Sequence, residues 1–561
     1  MLKHFTDLVK GSWRYATGLR GFLAVTIDLE EAQATLTNQL QNREETFLHM
    51  LEHGIYGNAR SPYRRLLQHA GFEFADVRTL VRNQGLESAL SVLYDAGVYV
   101  TLDEFKGRAP VRRPGLEFPV SEPDFDNPLL KAQYKGSTGG SRGGGTRVNI
   151  DFDFIAHEAA GYLCNINANG MADRPIAVWQ AAPPSNQGLG NVFRLARQGL
   201  MPERWFVPNK PLWNRQGLQA RAMMVYTLLV SRLAGRPIPR PVYTPHVEDI
   251  IAYLAEAVRQ GRPAVLLCPP SQAVRVCLKA EELGADLSGT IFRGGGEPWT
   301  AGKAAVVNRV GAEANPSYAM YEAGTISYRC GAPAHPDDMH LLTDKLALLQ
   351  RTKEFASGFE VGAIILTTLL ESTSKLMLNV ETGDYGVVEE RDCGCLWQQL
   401  GFTTHIHHVR SYEKLTSESV SFMDSMLHEL LEETLPARFG GGAIDYQLVE
   451  EEENGLPRVS IVISPRVGPV DESAVVEAVL RAVAFSDWSR RQANTWREAG
   501  TLRVKRSEPY ATASGKILPL HVPGASPSRT TTAHQDLVSV EVGPSVPAPE
   551  PEPAAIDPDF S

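Results

Sequence analysis

The chain has 561 residues, of which 43% are hydrophobic and 21% charged. This is the composition of a folded globular protein of two or three domains, and it excludes disorder for most of the length. The formal net charge is −10, so bulk charge gives no reason to expect nucleic acid or an anionic membrane as a partner. No stretch reaches about 18 apolar residues free of charge, and the first residues lack the pattern of a secretory signal. We therefore expect a cytoplasmic protein with no membrane span.

The N-terminal part is predicted to be helical, and a glycine-rich segment follows it. In residues 1–115, apolar side chains recur three and four positions apart. Residues 136–145 then contain six glycines, interleaved with Ser137, Thr138, Ser141 and Arg142. Glycine allows backbone to approach a ligand closely, and hydroxyls with arginine favour an anion. The segment predicts a phosphate site, with a flexible linker as the alternative.

Strands and helices alternate from residue 248 onward. The pattern predicts a helix at 248–261, a buried strand at 264–268, and a helix capped by Ser271. A strand at 290–292, a helix capped by Thr300 and a strand at 317–322 follow. This alternation is typical of a mainly parallel α/β sheet, with ligands bound at the carboxyl ends of its strands. The loops at 294–299 and 318–325 are expected there.

A second, small α+β domain is predicted for residues 404–522. Two strands flank an Asn454–Gly455 turn, Asp471 caps a helix, and one more strand begins near Thr501. Residues 523–561 are poor in large apolar side chains and are predicted to be a disordered, proline-rich tail. The fold class is therefore α/β, a large N-terminal domain with mixed or parallel sheets followed by a small α+β domain.

Five motifs occur in a fixed order: STGGSRGGG, RGGGEPW, YAMYEAG, ETGDYG and TASGKILPL. Their order and spacing resemble those of the ANL superfamily of adenylate-forming enzymes, and most closely its phenylacetate:CoA ligase branch, over residues 130–520. The resemblance makes 1–115 the helical part of the large domain and 116–403 its AMP-binding core. It implies that ATP and Mg²⁺ activate an aryl or fatty carboxylic acid as an acyl-adenylate, which a thiol then captures, coenzyme A being the first expectation.

Other acceptors and a non-enzymatic role are the alternatives. The acyl group could pass to a carrier-protein thiol or to an amine, or the chain could be a non-catalytic nucleotide-binding scaffold. The acyl pocket is expected between residues 177–191 and the 294 loop, where no residue identifies the acid. A homodimer is left open, and no nucleic-acid partner is expected.

The resemblance also assigns roles to single residues. Glu322 is expected to contact Mg²⁺ and Lys516 to bridge the substrate carboxylate and the α-phosphate; both are the catalytic candidates. The phosphate-binding set is Ser137, Thr138, Gly139, Gly140, Ser141 and Arg142. The adenine- and ribose-binding set is Gly294, Gly295, Gly296, Glu297, Pro298, Tyr318, Asp384 and Arg410. The sequence departs from the family at Gly143, where a lysine is usual, and at Phe402 to Thr404, which replace an arginine and an acidic pair.

A separate group of cysteines and histidines indicates a structural zinc ion. The pair Cys393 and Cys395 is closely spaced, and three thiolates with one imidazole make a closed tetrahedral zinc site. Relatives of the phenylacetate:CoA ligase branch resemble this arrangement, which implies the ligands Cys330, His340, Cys393 and Cys395, with His335 as the alternative to His340. Small buried cysteines are the competing interpretation. His405, His407 and His408 are expected to be hydrogen-bonded or exposed strand histidines rather than ligands.

Overall fold

The computed structural model describes residues 2–131, 133–137, 147–183, 185, 187–208, 215–296, 298–354, 360–411, 416–417, 420–421, 429–442, 445–453, 456–484, 493–494, 496–498, 500–510 and 520–521. These residues lie within one compact unit that spans residues 1–523. The predicted tail, 523–561, and several predicted site residues lie outside the described residues. Those site residues are Thr138, Gly139, Gly140, Ser141, Arg142, Glu297 and Lys516.

A twelve-stranded sheet organises most of the described chain. Strand Glu313–Met320 lies parallel to Ile291–Gly294 on one side and antiparallel to Gly324–Arg329 on the other. It thereby joins a parallel half of the sheet to an antiparallel half. The strand order is Leu346–Glu354, Glu360–Thr368, Val380–Glu390, Thr404–Ser411, Met339–Leu341, Gly324–Arg329, Glu313–Met320, Ile291–Gly294, Val265–Leu267, Ile176–Trp179, Arg204–Val207 and Val242–Tyr243.

Alternating side chains of the parallel strands enter two different cores. Ile176 and Val178 face one core, and Ala177 and Trp179 face the other. The helices Leu2–Ala24, Leu29–Gln41, Phe152–Ala168, Gln187–Arg197 and Arg215–Leu233 contribute to the first core, and Val247–Arg259, Pro270–Leu283 and Ala301–Arg309 to the second. Because helices cover both faces of the parallel half of the sheet, its strands consist of nearly continuous apolar residues.

The N-terminal helices cover the antiparallel half of the large sheet. Their apolar side chains, such as Phe47 and Leu90, share a core with Ile364 and Leu366. The helices are Arg43–Met50, Pro62–His69, Phe74–Gln84, Leu86–Asp95 and Leu102–Phe105, with π-helical turns at Leu51–Tyr56 and a 3₁₀ turn at Glu122–Phe125. None of the described helices is long and apolar enough to cross a membrane.

Most of the predicted elements are confirmed. Thr300 caps helix Ala301–Arg309 by accepting from the backbone N–H of Lys303, and Asp471 caps helix Glu472–Val483. The cap at Ser271 is wrong: the N-cap of helix Pro270–Leu283 is Pro269, two residues earlier. The reason is that proline is favoured in the first turn, where its missing N–H costs no hydrogen bond.

The small sheet has four strands, in the order Leu502–Arg506, Leu456–Ile463, Tyr446–Glu453 and Leu520–His521. Its apolar face packs with helix Glu472–Val483 in a core of its own. The predicted hairpin is present, since Glu453 pairs with Leu456 on either side of the turn residues, which lie outside the described residues. The remaining described elements are Val111–Arg113, Leu116–Phe118, Tyr134–Ser137, Arg147–Ile150, Leu396–Gln399, Thr416–Ser417, Val420–Ser421, Glu429–Thr434, Leu435–Phe439 and Pro465–Val467.

Strand Thr404–Ser411 does not belong to the small sheet. It lies in the large sheet, paired with Val380–Glu390 on one side and Met339–Leu341 on the other. The junction between the two sheets therefore lies after Ser411, and not at residue 404 where the sequence pattern placed the small domain. The sequence pattern fails here because alternating side chains indicate a strand but do not identify the strands with which it pairs.

Candidate functional site

The glycine loop after strand Ile291–Gly294 lies against the backbone of its neighbours. A Cβ atom on Gly294 would lie 1.8 Å from the carbonyl oxygen of Cys268, and one on Gly295 would lie 2.0 Å from that of Ser317. Only glycine fits at such distances, since no Cβ atom can approach a backbone oxygen so closely. The loop continues through Gly296 and Pro298, and the indole N–H of Trp299 donates back to the carbonyl of Gly294 at 2.9 Å. The predicted adenine-side loop is thus fixed at the carboxyl edge of the sheet.

Two predicted nucleotide-binding residues touch each other beside this loop. The Tyr318 hydroxyl donates to Oδ2 of Asp384 at 2.8 Å, although 66 positions separate them in sequence. The Asp384 backbone N–H donates to the hydroxyl oxygen of Thr382 at 3.2 Å, which holds the turn. The structure therefore brings together the aromatic ring assigned to the base and the carboxylate assigned to the ribose.

Arg410 is placed differently from the expectation. Its strand neighbours the turn, because Tyr385 pairs with Arg410 in the sheet register. Its guanidinium, however, lies 3.4 Å from Oδ2 of Asp337 and donates to the carbonyl of Val409 at 2.7 Å. The described contacts of Arg410 thus lie toward Asp337 and not toward Asp384.

Glu322 follows strand Glu313–Met320 and is 4% exposed. Its carboxylate forms an ion pair with Nζ of Lys106, a residue from the N-terminal part of the chain. The sequence reasoning missed Lys106, because 216 positions separate the partners and no motif surrounds the lysine. A buried carboxylate needs a cation, and the lysine supplies one where Mg²⁺ is expected to bind.

The glycine-rich segment begins and ends on a pair of strands. Tyr134–Ser137 pairs with Arg147–Ile150, and Ser137 lies opposite Arg147. The segment between them lies outside the described residues, as does Lys516. The roles of these residues stay predictions.

Four side chains converge on one point beside the large sheet. Ligand atoms of Cys330, His340, Cys393 and Cys395 all lie within 4.8 Å of one another. Nε2 of His340 lies 3.2 Å from Sγ of Cys395 and 3.5 Å from Sγ of Cys393, and the Cys330 and Cys395 sulfurs are 4.0 Å apart. Ligands about 2.3 Å from a tetrahedral Zn²⁺ lie about 3.8 Å from each other. The donor set and its spacing therefore fit a closed zinc site.

The three thiols of this cluster have pKa values shifted in different directions. The contacts of Cys395 with Cys330 and with the His340 imidazole lower the pKa of the Cys395 thiol. The contact with Cys395 raises the pKa of Cys330, and burial raises that of Cys393. Thiolate is the form that binds metal, and these contacts favour it at Cys395. The four residues come from segments on both sides of strand Met339–Leu341, which carries His340 itself.

The other histidines have different neighbours. The ring of His335 lies 4.3 Å from that of His407, away from the four-residue cluster, so His340 fits the site better than its alternative. Nδ1 of His405 lies 2.8 Å from Oδ1 of Asp338. Burial raises the pKa of Asp338, but the hydrogen bond with His405 and the charge of Arg391 outweigh it and lower that pKa to about 2. His408 is exposed and lies beside His407.

The overall architecture is similar to that of a solved CoA ligase, as the resemblance implied. The chain is similar in structure to 2-hydroxyisobutyryl-CoA ligase, solved with 2-HIB-AMP and CoA, with a TM-score of 0.53, 14% identity, and coverage of 89% of this chain and 91% of that chain.

Two further structures align more loosely. They are the same ligase in its postadenylation state, with a TM-score of 0.44, 14% identity and coverage of 89% and 91%, and the amide bond synthetase McbA from Marinactinospora thermotolerans, with a TM-score of 0.38, 13% identity and coverage of 91% and 98%. Only the first structure aligns well enough to define the fold. Comparison with models of protein families gives no match, and comparison with curated protein sequences gives none.

Proposed function

We propose that this protein activates an aryl or fatty carboxylic acid with ATP and Mg²⁺ as an acyl-adenylate and transfers the acyl group to a thiol, coenzyme A. The observation that carries the proposal is the contact between Tyr318 and Asp384 beside the Gly294 loop. In the proposed function, Tyr318 would contact the base and Asp384 the ribose of one nucleotide. The similar ligase, whose structure contains an acyl-AMP and CoA, supports the same chemistry.

Each group has a defined task in the proposed reaction. The two anions that react, a carboxylate and a phosphate, repel each other, so cations and N–H dipoles must hold them together. Glu322 would hold Mg²⁺ in place of the Lys106 ammonium, since Mg²⁺ prefers hard oxygen ligands such as a carboxylate. Lys516 places a point charge between carboxylate and α-phosphate. The hydroxyls and amides around Ser137 hold the departing phosphates.

The test is acid-dependent exchange of labelled pyrophosphate into ATP, over a panel of aryl, fatty and amino acids. Asp384→Ala is expected to lower exchange at least about a hundredfold, since a charged hydrogen-bond partner of the ribose is lost. Asp286→Ala, at an exposed turn, is the matched control and keeps wild-type exchange. Lys516→Ala is expected to abolish adenylation in a folded protein.

The same assay separates the alternatives. Exchange without consumption of coenzyme A favours a carrier-protein thiol or an amine as acceptor. A protein that binds ATP but exchanges pyrophosphate with no acid is a scaffold, and this outcome refutes the proposed activity.

A structural zinc ion is part of the proposal. Cys330, His340, Cys393 and Cys395 would hold it with no open position, so it would stabilise the fold and take no part in the reaction. All six cysteines are free thiols in the structure. This supports the proposed location in the reducing cytoplasm.

A further inference from the structure

Arg293 is a buried cation with no carboxylate partner among the described residues. It is the third residue of strand Ile291–Gly294, directly before the glycine loop, and it is 6% exposed. Its guanidinium lies 4.2 Å from the ring centre of Tyr162 and 5.4 Å from that of Tyr328. Within the described part of the chain, its Nε atom is buried and has no hydrogen-bond acceptor. The Tyr162 hydroxyl also interacts with the guanidinium, so Arg293 has a polar neighbour besides the two ring faces but no anion. A buried charge without an anion is costly unless a ligand provides one.

The neighbouring charges do not supply that anion. Glu158 is the carboxylate of this region, and it is shared by two other cations. Its Oε2 atom accepts from Arg194 at 3.0 Å, and its Oε1 atom pairs with Nζ of Lys345. The described ion pairs thus join one carboxylate to two cations and leave Arg293 out. Another nearby carboxylate, Asp344, is bound by His157 at 2.7 Å.

The unsatisfied polar atoms around Arg293 are mostly donors. Among the described residues, buried atoms without a partner include Nε of Arg194 and Nδ2 of Asn315. Asn315 pairs with Arg293 in the sheet register, and the Arg293 charge lowers the pKa of Tyr162 against the larger effect of burial. Several N–H and O–H groups that face each other need a group with oxygen acceptors.

This group of residues lies between the two predicted nucleotide loops. Arg293 directly precedes Gly294. On the other side, the hydroxyl of Thr325, three positions after Glu322, donates to Glu158 at 2.8 Å. Arg194 donates to Oδ1 of Asn191 at 3.1 Å, at the end of the segment expected to line the acyl pocket. A group held here would therefore sit beside the acid that the nucleotide site activates.

We propose that Arg293, Arg194 and Tyr162 bind the second carboxylate of a dicarboxylic acid, whose first carboxylate is the one adenylated. The inference rests on the proposed function, and it narrows the substrate class to acids with a distal negative charge. The planar fork of Arg293 suits a carboxylate, to which it can donate two parallel hydrogen bonds. A free inorganic anion has the same chemistry, so the test separates the two sources.

The experiment uses matched pairs of acids on the full chain: hexanoate against adipate, and phenylacetate against 4-carboxyphenylacetate. Pyrophosphate exchange gives kcat/KM for each acid, and thermal denaturation without ATP reports binding apart from activity. In the wild type, each diacid is expected to be favoured at least about tenfold over its monoacid and to raise the unfolding temperature. Arg293→Met is expected to lose both effects, the tenfold change corresponding to about 1.4 kcal/mol.

Two further variants keep the test decisive. Arg309→Met removes an exposed arginine that pairs with Glu281 at 2.8 Å on the preceding helix, and it is expected to keep the preference for diacids. Arg293→Lys keeps the positive charge but loses the planar guanidinium, and it is expected to weaken the preference for diacids. It serves as the test if Arg293→Met does not fold. A structural Arg293 would give variants of lower stability with an unchanged ratio between diacid and monoacid.

The outcomes distinguish the inference from the proposed function. Exchange at equal rates with both members of each pair overturns the diacid inference and leaves the acid-activating function intact. A second outcome is that no acid supports pyrophosphate exchange, while diacids still stabilise the protein and Arg293→Met abolishes that stabilisation. This result overturns the proposed function and supports the carboxylate site at Arg293. Equal stabilisation by sodium sulfate at matched ionic strength, lost in Arg293→Met, shows a free-anion site and overturns the assignment to substrate.

Discussion

Tyr318 contributes two separable groups to the candidate nucleotide site. Its ring packs against the core beside the antiparallel half of the large sheet, and its hydroxyl donates to the Asp384 carboxylate at 2.8 Å. A side chain that is oriented before the ligand arrives loses less freedom on binding. In the proposed function, the hydroxyl would position Asp384 and the ring would contact the base.

Removing the hydroxyl tests this division. Tyr318→Phe is expected to raise the KM for ATP about threefold to tenfold, because Asp384 loses a hydrogen bond worth about 1 kcal/mol, and to change kcat little. Steady-state kinetics with varied ATP measure it. Tyr243→Phe, on an edge strand, is the control. An unchanged KM for ATP would show that the contact has no role in binding.

The ion pair between Lys106 and Glu322 leads to a second prediction about single residues. Lys106→Met leaves the Glu322 carboxylate buried without the ammonium, which is expected to lower the free energy of unfolding by about 3 kcal/mol. The loss is expected to shrink when Mg²⁺ and ATP are added, because the metal ion then neutralises the carboxylate. Chemical denaturation with and without the nucleotide measures both values. An equal loss in both conditions would contradict the exchange of lysine for Mg²⁺.

The sequence predicted residues that belong to motifs and missed those that act across the fold. Tyr318, Asp384 and Glu322 stand in recognisable patterns, and the structure brings the first two into contact. Lys106 follows a short helix and belongs to no motif, while Arg293 opens the RGGGEPW motif but was given no role. Their roles depend on which distant side chains surround them, and local spacing carries no such information.

At the scale of elements, the cysteine cluster links three separate segments of the chain. The double variant Cys393→Ser with Cys395→Ser is expected to lower zinc from about one ion per chain to none, because two of four ligands are removed. Elemental analysis of purified protein measures the metal. Cys277→Ser, a buried thiol outside the cluster, is the control and keeps its zinc. Full occupancy in the double variant would refute these ligands.

A pair of histidine variants decides the fourth ligand. His340→Ala is expected to lose zinc and His335→Ala to keep it, because only His340 lies with the three sulfurs. The opposite result would show that the loop before Asp337 rearranges when metal binds.

The prediction of elements from sequence succeeded where the signal is local. Thr300 and Asp471 cap helices because their short polar side chains reach the free N–H groups of the first turn. Strand Thr404–Ser411 shows the limit. Its sequence pattern identified a strand, but its partners lie in segments that end at residues 341 and 390. The sequence of a strand does not show which distant segments pair with it.

At the scale of the whole molecule, the chain contains separate hydrophobic cores. Residues that pack with helix Glu472–Val483 form one core, and the described core residues of the large sheet all precede Ser411. This separation supports the proposal of a large and a small domain, with the junction moved from 404 to a position after 411.

Separate cores predict two calorimetric transitions. Leu448→Ala, in the small core, is expected to lower the midpoint of one transition, since deletion of a buried leucine costs about 3 kcal/mol. Leu366→Ala, in the large core, is expected to shift the other transition. Both leucines are fully buried. If each variant shifted both transitions equally, the chain would unfold as one cooperative unit.

The position of strand Thr404–Ser411 has a consequence for how the chain is made. The three strands between residues 346 and 390 form a meander whose one link to the rest of the described sheet is this later strand. Until residues 404–411 are made, the meander and the sheet that ends at strand Met339–Leu341 are thus expected to be two unjoined sheets, each with an open edge of unpaired N–H and C=O groups. Arrival of residues 404–411 closes both edges at once, so a chain that stops at 403 is expected to aggregate.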